Sequence, residues 1–505
     1  MTGTPLRRTL EARDGFAVIA EFVPWRHGAG VARTARSLAT ARELAAHPRI
    51  AALNITDGAG GHAATAPIAI AEEFAGTARD LIINIACRGR SHDDLGQLVR
   101  ALAACGLTNV LAISGDYPRL RGGDAPPARF DLDSAGLLTM MSQLEGIAPL
   151  FPGGVVNTHK RHEREQMPQY HKLELKIRSG ARFIVSQLGY DARKDDELLR
   201  YLRLRGVGTP CVTSVFILSA VAARKFNAGQ VAGCVVTDDL LALVERQAAS
   251  PDKGRAFFLE LAARQVAIAR GLGFRGALVG GHHDAGEMIR VLEIADGFAR
   301  DDWRDFAREI QFGWPGGFHY FERDAATSLN RDEADAAYLA SCTPDSRRGA
   351  RDMLPTAYRV SRVAHDTIFA PTAPAFPLGE LLYRRAERSR FARSLHVLEQ
   401  AIKEPLFECR DCGDCSLAET GYLCPESQCP KGQRNGPCGG SCDGRCEVDD
   451  RACIWALAYD RLKPYGEEGA IAGRTATIAD ASLRDTSAWA NTFLGRDHIS
   501  RSGAS

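Results

Sequence analysis

Two hydrophobic periods alternate along the chain between residue 16 and residue 297. Short apolar or β-branched runs, typical of buried strands, are separated by longer segments in which apolar residues recur every three or four positions, as in amphipathic helices. The runs occupy 16–23, 50–55, 81–87, 109–114, 153–157, 182–188, 211–217 and 276–281. The helical period is clearest in SHDDLGQLVRALAACG, where Ser91 is placed as N-cap with Asp94 three residues later.

Strands that alternate with helices in this way predict an α/β fold, a (β/α)8 TIM barrel, with a doubly wound open sheet as the alternative. A less regular part follows, read as a mostly helical connector, and then a small cysteine-rich metal- or cluster-binding module. The predicted boundaries are 1–15 for an N-terminal extension, 16–299 for the barrel, 300–403 for the connector, 404–465 for the module and 466–505 for a partly disordered tail.

Composition indicates a soluble globular protein. Of 505 residues, 45% are hydrophobic and 25% charged, and the formal net charge of +1 gives no reason to expect nucleic acid or an anionic membrane as partner. No apolar stretch is long enough to span a bilayer, and the N-terminus lacks the apolar region of a secretory signal. We therefore expect a cytoplasmic location, where thiols stay reduced.

Polar side chains stand at the ends of several predicted strands. Glu21, Asp57, Asp116 and Gln187 fall there, each open to a simpler interpretation as a loop residue or helix cap. Because barrel enzymes build their active sites at the carboxyl ends of the strands, the four together predict a polar active-site mouth. His282 and His283 follow the last strand and are candidates for a metal-ligating or substrate-contacting role.

The cysteines are concentrated near the C-terminus. Nine of fourteen fall within 45 residues, at Cys409, Cys412, Cys415, Cys424, Cys429, Cys438, Cys442, Cys446 and Cys453. Nine thiols can fill two four-thiolate sites with one left over. The C-x2-C-x2-C start favours [4Fe-4S] clusters, although the full ferredoxin spacing is not met, and Zn2+ is the alternative.

Basic residues surround the cysteines. Lys431, Arg434, Arg445 and Arg451 are candidates for contact with an acidic electron-carrier protein, and a solvated surface is the simpler interpretation of each one.

The motifs AEFVP, NITDG, LAISGDYP, GGVVN and LELKIRSGARFIVSQLGYD, in this order, resemble methylenetetrahydrofolate reductase over most of 16–297. The stretch CPESQCPKGQRNGPCGGSCDGRCEV, followed by CIWALAYDRLKPY, is similar to the cysteine-rich C-terminal domain that accompanies such reductases. The resemblance implies a flavin-bearing barrel that reduces 5,10-methylenetetrahydrofolate to 5-methyltetrahydrofolate.

Roles for individual residues follow from that resemblance. It implies that Glu21 is the general acid at folate N10, that Asp116 lies near flavin and pterin, and that Gln187 hydrogen-bonds the folate. The flavin-binding positions it implies are Thr56, Asn84, Gly115, Asp116, Asn157 and Lys176. Asn84 stands where many other members have a histidine, and Asn157 where some have a tyrosine. These differences leave open whether the flavin is FAD or FMN. They also leave open whether NAD(P)H is the electron donor.

Two other functions are compatible with the sequence. In the first, the barrel is a non-catalytic docking or electron-entry subunit of a folate reductase complex. In the second, the protein is a folate-linked zinc methyltransferase. The expected partners are tetrahydrofolate, a ferredoxin-like or other electron carrier, and further subunits of an oligomer or heteromeric complex.

Overall fold

The computed structural model describes residues 4–26, 28–74, 80–117, 128–144, 146–147, 149–281, 284–387 and 389–502. The candidate residues His282 and His283 lie outside these ranges. Across the described ranges, every helix is too short or too polar to cross a lipid bilayer.

A closed barrel of eight parallel strands forms the first part of the chain. Its strands are β1 (Ala17–Phe22), β2 (Ala52–Ile55), β3 (Asp80–Ala86), β4 (Asn109–Ile113), β5 (Phe151–Val156), β6 (Phe183–Ser186), β7 (Cys211–Phe216) and β8 (Gly276–Gly280). Each strand pairs with the next in sequence, and β8 returns to β1 with Ala17 opposite Gly276. This closure confirms the TIM barrel and excludes the open sheet.

Large side chains fill the lower part of the barrel. Phe151 and Phe183 stack with ring centroids 5.2 Å apart, and a Cβ on Gly153 would lie 2.3 Å from the Phe183 ring. Leu6 and Leu10 of the first helix are fully buried in the same cluster and close the amino-terminal end. The barrel is therefore packed at one end, and space remains at the carboxyl ends of its strands.

Helices surround the barrel as the hydrophobic period predicts. They are α1 (Pro5–Glu11), α2 (Val31–Ala46), α3 (Pro67–Glu72), α4 (His92–Ala104), α5 (Ser134–Gln143), α6 (Glu163–Arg178), α7 (Ala192–Leu204), α8 (Ala220–Asn227), α9 (Asp238–Ala248), α10 (Arg255–Leu272), α11 (Ala285–Gly297) and α12 (Trp303–Glu309). The predicted capping box is present, with Ser91 and Asp94 each accepting from the other's backbone N–H.

The following part contains a hairpin and a succession of helices. Its elements are β9 (Phe321–Arg323), β10 (Asn330–Ala334), α13 (Ala336–Ser341), α14 (Pro344–Asp352), α15 (Thr356–Ala364), α16 (Phe376–Ala386) and α17 (Phe391–Phe407). The sequence predicted a mostly helical connector here, and the hairpin of β9 and β10 is an exception to it. Tertiary bonds override that preference, because Asp196 accepts from both the backbone and the side-chain amide of Asn330.

The cysteine-rich module is built mainly of loops held against α6. Its helices, with those of the following segment, are α18 (Pro425–Gln428), α19 (Ile454–Leu462), α20 (Ala488–Phe493) and α21 (His498–Ser502). Tyr459 of α19 donates its hydroxyl to Glu163 of α6 at 2.6 Å. The indole N–H of buried Trp455 donates to the Gln433 carbonyl at 2.8 Å, which secures the loops.

Candidate functional site

A cavity of about 270 Å3 opens at the carboxyl ends of the barrel strands. Its wall includes every side chain to which the sequence assigned a catalytic or flavin-binding role: Glu21, Thr56, Asn84, Gly115, Asp116, Asn157, Lys176 and Gln187. The volume lies near the lower end for small-molecule sites. The structure thus brings these eight residues together, while their individual roles remain predictions.

Glu21 projects from β1 into this cavity. Burial raises the pKa of its carboxyl group, and a hydrogen bond from the Gly281 backbone offsets part of that effect. Neighbouring β8 makes room for it, because a Cβ on Gly280 would lie 2.3 Å from Glu21 Oε2. The carboxyl group is therefore suited to hold a proton at a pH where an ordinary glutamate is ionised.

The two aspartates of the mouth have different surroundings. Asp57 forms an ion pair with Arg90 and accepts a 2.9 Å hydrogen bond from the Ala86 backbone. Asp116 accepts from the Gly60 backbone at 2.7 Å, and its own carbonyl accepts from Arg88 at 3.1 Å. Asp57 is consequently committed to structure, while one oxygen of Asp116 anchors the loop that follows β2.

Several buried polar atoms in the wall have no partner within the described part of the chain. They are Thr56 Oγ1, Asn84 Oδ1 and Gln169 Nε2. Buried polar groups are normally hydrogen-bonded, so these atoms suit a ligand rich in donors and acceptors. Gly115 has φ +89°, and a Cβ there would lie 3.0 Å from Ala86. The wall therefore suits a ligand that offers several hydrogen-bonding atoms, as a flavin does.

Two of the proposed flavin-binding side chains already have protein partners. Asn157 Nδ2 donates to the carbonyls of Gly233 and Gly439, at 3.1 and 2.9 Å. Lys176 Nζ donates to the Val155 carbonyl at 2.5 Å. Burial, and secondarily the neighbouring Lys172, lower the pKa of Lys176 to about 7. Lys176 therefore carries only about half a charge at pH 7, which weakens it as a dedicated phosphate ligand.

The cysteine-rich module supplies one side of the cavity. Lys431, Cys438, Gly439, Gly440 and Glu447 line it together with the barrel residues. Lys431 forms an ion pair with Glu447 and donates to the Gly115 carbonyl at 2.9 Å. Sequence reasoning missed this side of the site, because no local pattern shows that residues more than 300 positions apart in the chain meet at one mouth.

Buried lysines attach the module to the barrel. Lys160 donates to the carbonyls of Gly439 and Ser441, at 2.6 and 2.5 Å. Lys172 of α6 contacts Asp133 and the module residues Gln433 and Gly436, all at 3.0 Å. These ammonium groups are almost fully enclosed and have several acceptors each, as a buried charge requires. The module is an integral part of the cavity wall.

Eight of the nine clustered cysteines divide into two groups of four. The first group lines one small cavity: Cys409, Cys412, Cys415 and Cys424. The second lines another: Cys429, Cys438, Cys446 and Cys453. Cys442 lines neither cavity and is exposed. Cys438 faces both the second thiol cavity and the barrel mouth.

Cationic side chains accompany the first thiol group. Arg434 donates to Cys412 Sγ at 3.2 Å. Burial opposes ionisation of Lys403, but neighbouring Cys415 and Glu399 raise its pKa. Burial also raises the pKa of Cys415 to about 11 and that of Cys429 in the second group to about 12. A bound metal group, which stabilises thiolates, would reverse both thiol shifts.

The ligand set of the two thiol groups leaves the identity of the metal open. Within the described ranges, no set of three or more His, Cys, Asp or Glu side chains is arranged to hold one metal ion, and each thiol cavity has a volume of only about 20 Å3. Four thiolates are the ligands of [4Fe-4S] clusters and of structural Zn2+ sites alike. Both interpretations of the cysteine sequence therefore stay open.

The basic residues of the module differ in exposure. Lys431 and Arg434 are 4% and 6% exposed. The expectation that these two residues contact a partner protein is wrong, because their charged groups bind within the chain. Lys431 pairs with Glu447 and donates to the Gly115 carbonyl. Arg434 pairs with Glu426 and donates to Cys412 Sγ. Arg445 and Arg451 lie at the surface.

Comparison with known proteins agrees with this division. A family model described as methylenetetrahydrofolate reductase matches residues 6–272, more than half of the chain. A second, described as methylene-tetrahydrofolate reductase C terminal, matches 389–482. No curated protein matches. One solved structure that it resembles is an uncharacterized protein from Clostridium thermocellum that binds two copies of 5-methyl-5,6,7,8-tetrahydrofolic acid. The two chains are 12% identical, with a TM-score of 0.44, and the match covers 58% of this chain and 98% of the other. This likeness is too weak to bear on function.

Proposed function

The chain belongs to the methylenetetrahydrofolate reductase family, and on that basis we propose that it reduces 5,10-methylenetetrahydrofolate to 5-methyltetrahydrofolate with electrons that enter through the cysteine-rich module. The observation that carries the proposal is the position of Cys438. This thiol belongs to the second group of four and also faces the cavity that contains Glu21, Asp116 and Gln187.

The barrel residues supply the acid–base part of the reaction. Glu21 donates its proton to N10 of the folate, which opens the five-membered ring and leaves a cationic iminium at N5. Its raised pKa supports this role, because the acid must still hold its proton near neutral pH. The carboxylate of Asp116 stabilises the positive charge, and the Gln187 amide orients the pterin.

A flavin is the hydride donor that this reaction needs. When bound, it supplies hydride to the iminium carbon and so yields the methyl group. Thr56, Asn84 and Gln169 are suited to hold it, since each has a buried polar atom aimed at the cavity without a protein partner.

The two thiol groups are suited to iron–sulfur clusters, which exchange single electrons. The second group adjoins the barrel mouth through Cys438, while the first lies in a separate cavity beside α17. Because Cys438 faces both the second thiol cavity and the barrel mouth, a metal group held there would adjoin the folate site. This proximity supports a reduced electron-carrier protein as donor, ahead of NAD(P)H.

Anaerobically purified protein tests this proposal. We expect a flavin absorption band, iron with acid-labile sulfide, and formation of 5-methyltetrahydrofolate when a low-potential one-electron donor is supplied. Glu21→Gln is the control: it should abolish folate reduction and leave reduction of the flavin by dithionite unchanged. A colourless protein without iron would instead indicate a docking subunit, and zinc with methyl transfer in the absence of reductant would indicate a methyltransferase.

A further inference from the structure

The loop of residues 187–191, which follows β6 and is called the β6 loop below, carries Gln187 into the cavity. Its start is fixed to the neighbouring strand, because the Gln187 N–H donates to the Val156 carbonyl at 2.7 Å. The side chain is bound to the loop itself, since Gln187 Oε1 accepts from the Leu188 N–H at 3.0 Å. The direction in which Gln187 points therefore depends on the path of the loop.

One residue of the β6 loop, Gly189, lies directly against a buried side chain. A Cβ on Gly189 would fall 2.0 Å from Nε2 of His159, and 2.1 and 2.4 Å from the two ring carbons beside it. These distances are below 3.0 Å, which real Cβ contacts do not reach. The His159 ring has little space to move aside, because the residue is 6% exposed. The loop approaches the ring this closely only because position 189 has no side chain.

His159 has the contacts of a support for the loop. Its backbone N–H donates to Asn157 Oδ1 at 2.9 Å, and its ring forms a hydrogen bond with the backbone of Gln187. Burial lowers the pKa of His159 to about 4, so the ring is uncharged near pH 7. Its Nε2 has no partner within the described part of the chain and lies beside the space that a Gly189 side chain would fill. The ring therefore serves as a neutral spacer beneath the loop.

Two further contacts hold the β6 loop in place. Gln265 of α10, which is 8% exposed, donates from Nε2 to the Gly189 carbonyl at 2.7 Å. At the far end of the loop, the Tyr190 carbonyl accepts from the Phe312 N–H at 2.7 Å. The loop is thus held by β5, α10 and the segment that follows α12, and Gly189 is the point at which a side chain and a helix both contact it.

We propose that His159 and Gln265 are positioning residues, which act through Gly189 to set where Gln187 lies in the cavity and so how tightly the protein binds the folate. The inference rests on the proposed function, because it takes the folate as the ligand of Gln187. Among the described residues that line the cavity, neither His159, Gly189 nor Gln265 is found. Their effect on the ligand therefore passes through the β6 loop.

Equilibrium binding of 5-methyltetrahydrofolate to the full chain, purified anaerobically and measured by isothermal titration calorimetry, tests this inference. Gly189→Ala should raise Kd about tenfold, because its methyl group pushes the β6 loop and Gln187 away from their positions. KM for methylenetetrahydrofolate should rise by a similar factor and kcat should change by less than about twofold, since the lost contact serves ground state and transition state alike. Flavin content should equal that of the wild type.

Removal of the ring provides the rescue. The double variant Gly189→Ala with His159→Ala should bind the folate more tightly than Gly189→Ala alone, because the space left by the ring admits the methyl group. His159→Ala alone loosens the support and should raise Kd about threefold. Gln265→Leu adds no bulk to the loop and should raise Kd about fivefold through loss of one hydrogen bond. Gly208→Ala is the matched control, since a Cβ at this exposed glycine meets nothing within 4 Å.

The outcomes separate this inference from the proposed function. Wild-type affinity in Gly189→Ala, or a double variant that binds no better than Gly189→Ala, would overturn the inference and leave the proposed function standing. A wild-type protein that does not bind 5-methyltetrahydrofolate would overturn both. Circular dichroism shows whether each variant is folded. If Gly189→Ala is unfolded, Gln265→Leu decides the question, and an unchanged Kd in that variant would overturn the inference.

Discussion

Lys431 of the cysteine-rich module donates a hydrogen bond to the carbonyl oxygen of Gly115, at the end of the fourth barrel strand, over 2.9 Å. The same ammonium group forms an ion pair with Glu447. Burial opposes its ionisation, but Cys438 and Glu447 raise the pKa of Lys431. One buried cation thus joins the module, the loop after the strand and the wall of the cavity at the barrel mouth.

Replacement of Lys431 by Met should lower both stability and activity. It leaves Glu447 buried without its partner, at a cost of about 3–5 kcal/mol, and removes the bond that holds Gly115. We expect a lower melting temperature and a fall of at least about tenfold in kcat/KM for methylenetetrahydrofolate.

Two further variants make this prediction specific. Adding Glu447→Gln to Lys431→Met removes the unpaired charge and should recover part of the stability but not the activity. Lys225→Met, at an exposed position on α8, should behave like the wild type. An unchanged melting temperature for Lys431→Met would contradict the importance of this contact.

The division of the cysteines predicts metal content. Two [4Fe-4S] clusters correspond to about eight iron atoms per chain. Cys412→Ser and Cys446→Ser should each remove about four iron atoms per chain, because the two cysteines belong to different groups. Cys442→Ser should retain all the iron. Iron and sulfide analysis of anaerobic preparations measures this, and equal losses in all three variants would show that the grouping is wrong.

The raised pKa of Glu21 predicts the pH dependence of folate reduction. Burial favours the protonated form, so the acid stays competent above the pH at which an ordinary glutamate ionises. The rate should therefore be highest on the acidic side and fall as pH rises through that raised pKa. Steady-state kcat/KM against pH measures it, while flavin reduction by dithionite should not follow the same curve.

His498 predicts how stability varies with pH. Although burial favours its neutral form, bonds to Asp414 and Glu419 raise the pKa of His498 from 6.5 to about 9. Because the folded state binds the proton more tightly, this contribution is complete below pH 6.5 and disappears as pH rises through 9. It amounts to on the order of 3 kcal/mol.

Thermal unfolding of the wild type and His498→Gln between pH 6 and pH 9.5, roughly the interval set by these two pKa values, checks this. The difference between their melting temperatures should be largest at the acidic end and shrink toward the alkaline end. A constant difference across the range would show that His498 contributes by packing and not by its charge.

The barrel was predictable because its signals are local. The helix predicted after Ser91 spans His92–Ala104 in the structure, and all eight strands fall within or close to the predicted runs. Helix α6 (Glu163–Arg178) includes Pro168 in its second turn. A proline at that position supplies no N–H to the carbonyl of Arg164, four residues earlier, so local sequence rules argue against a helix that begins this early.

The mouth of the barrel was predictable only in part. Strand ends identified Glu21, Asp116 and Gln187 as neighbours, because parallel strands in a barrel converge at one rim. Lys431 and Glu447 were not identifiable, since they reach the cavity through loops whose path depends on contacts over 300 residues away. The division of the thiols likewise depends on how those loops fold, and spacing alone left it open.

The bonds of Lys172 have a consequence for how the protein is made. Its module partner Gln433 comes 261 residues later in the chain. A ribosome that adds roughly 5–20 residues per second delivers that partner about 13–50 s after Lys172 itself. During this interval the rim of the nascent barrel is incomplete, and Asp133 is the partner already available to Lys172. Slower synthesis of residues 173–433 therefore lengthens the time for which the rim stands open.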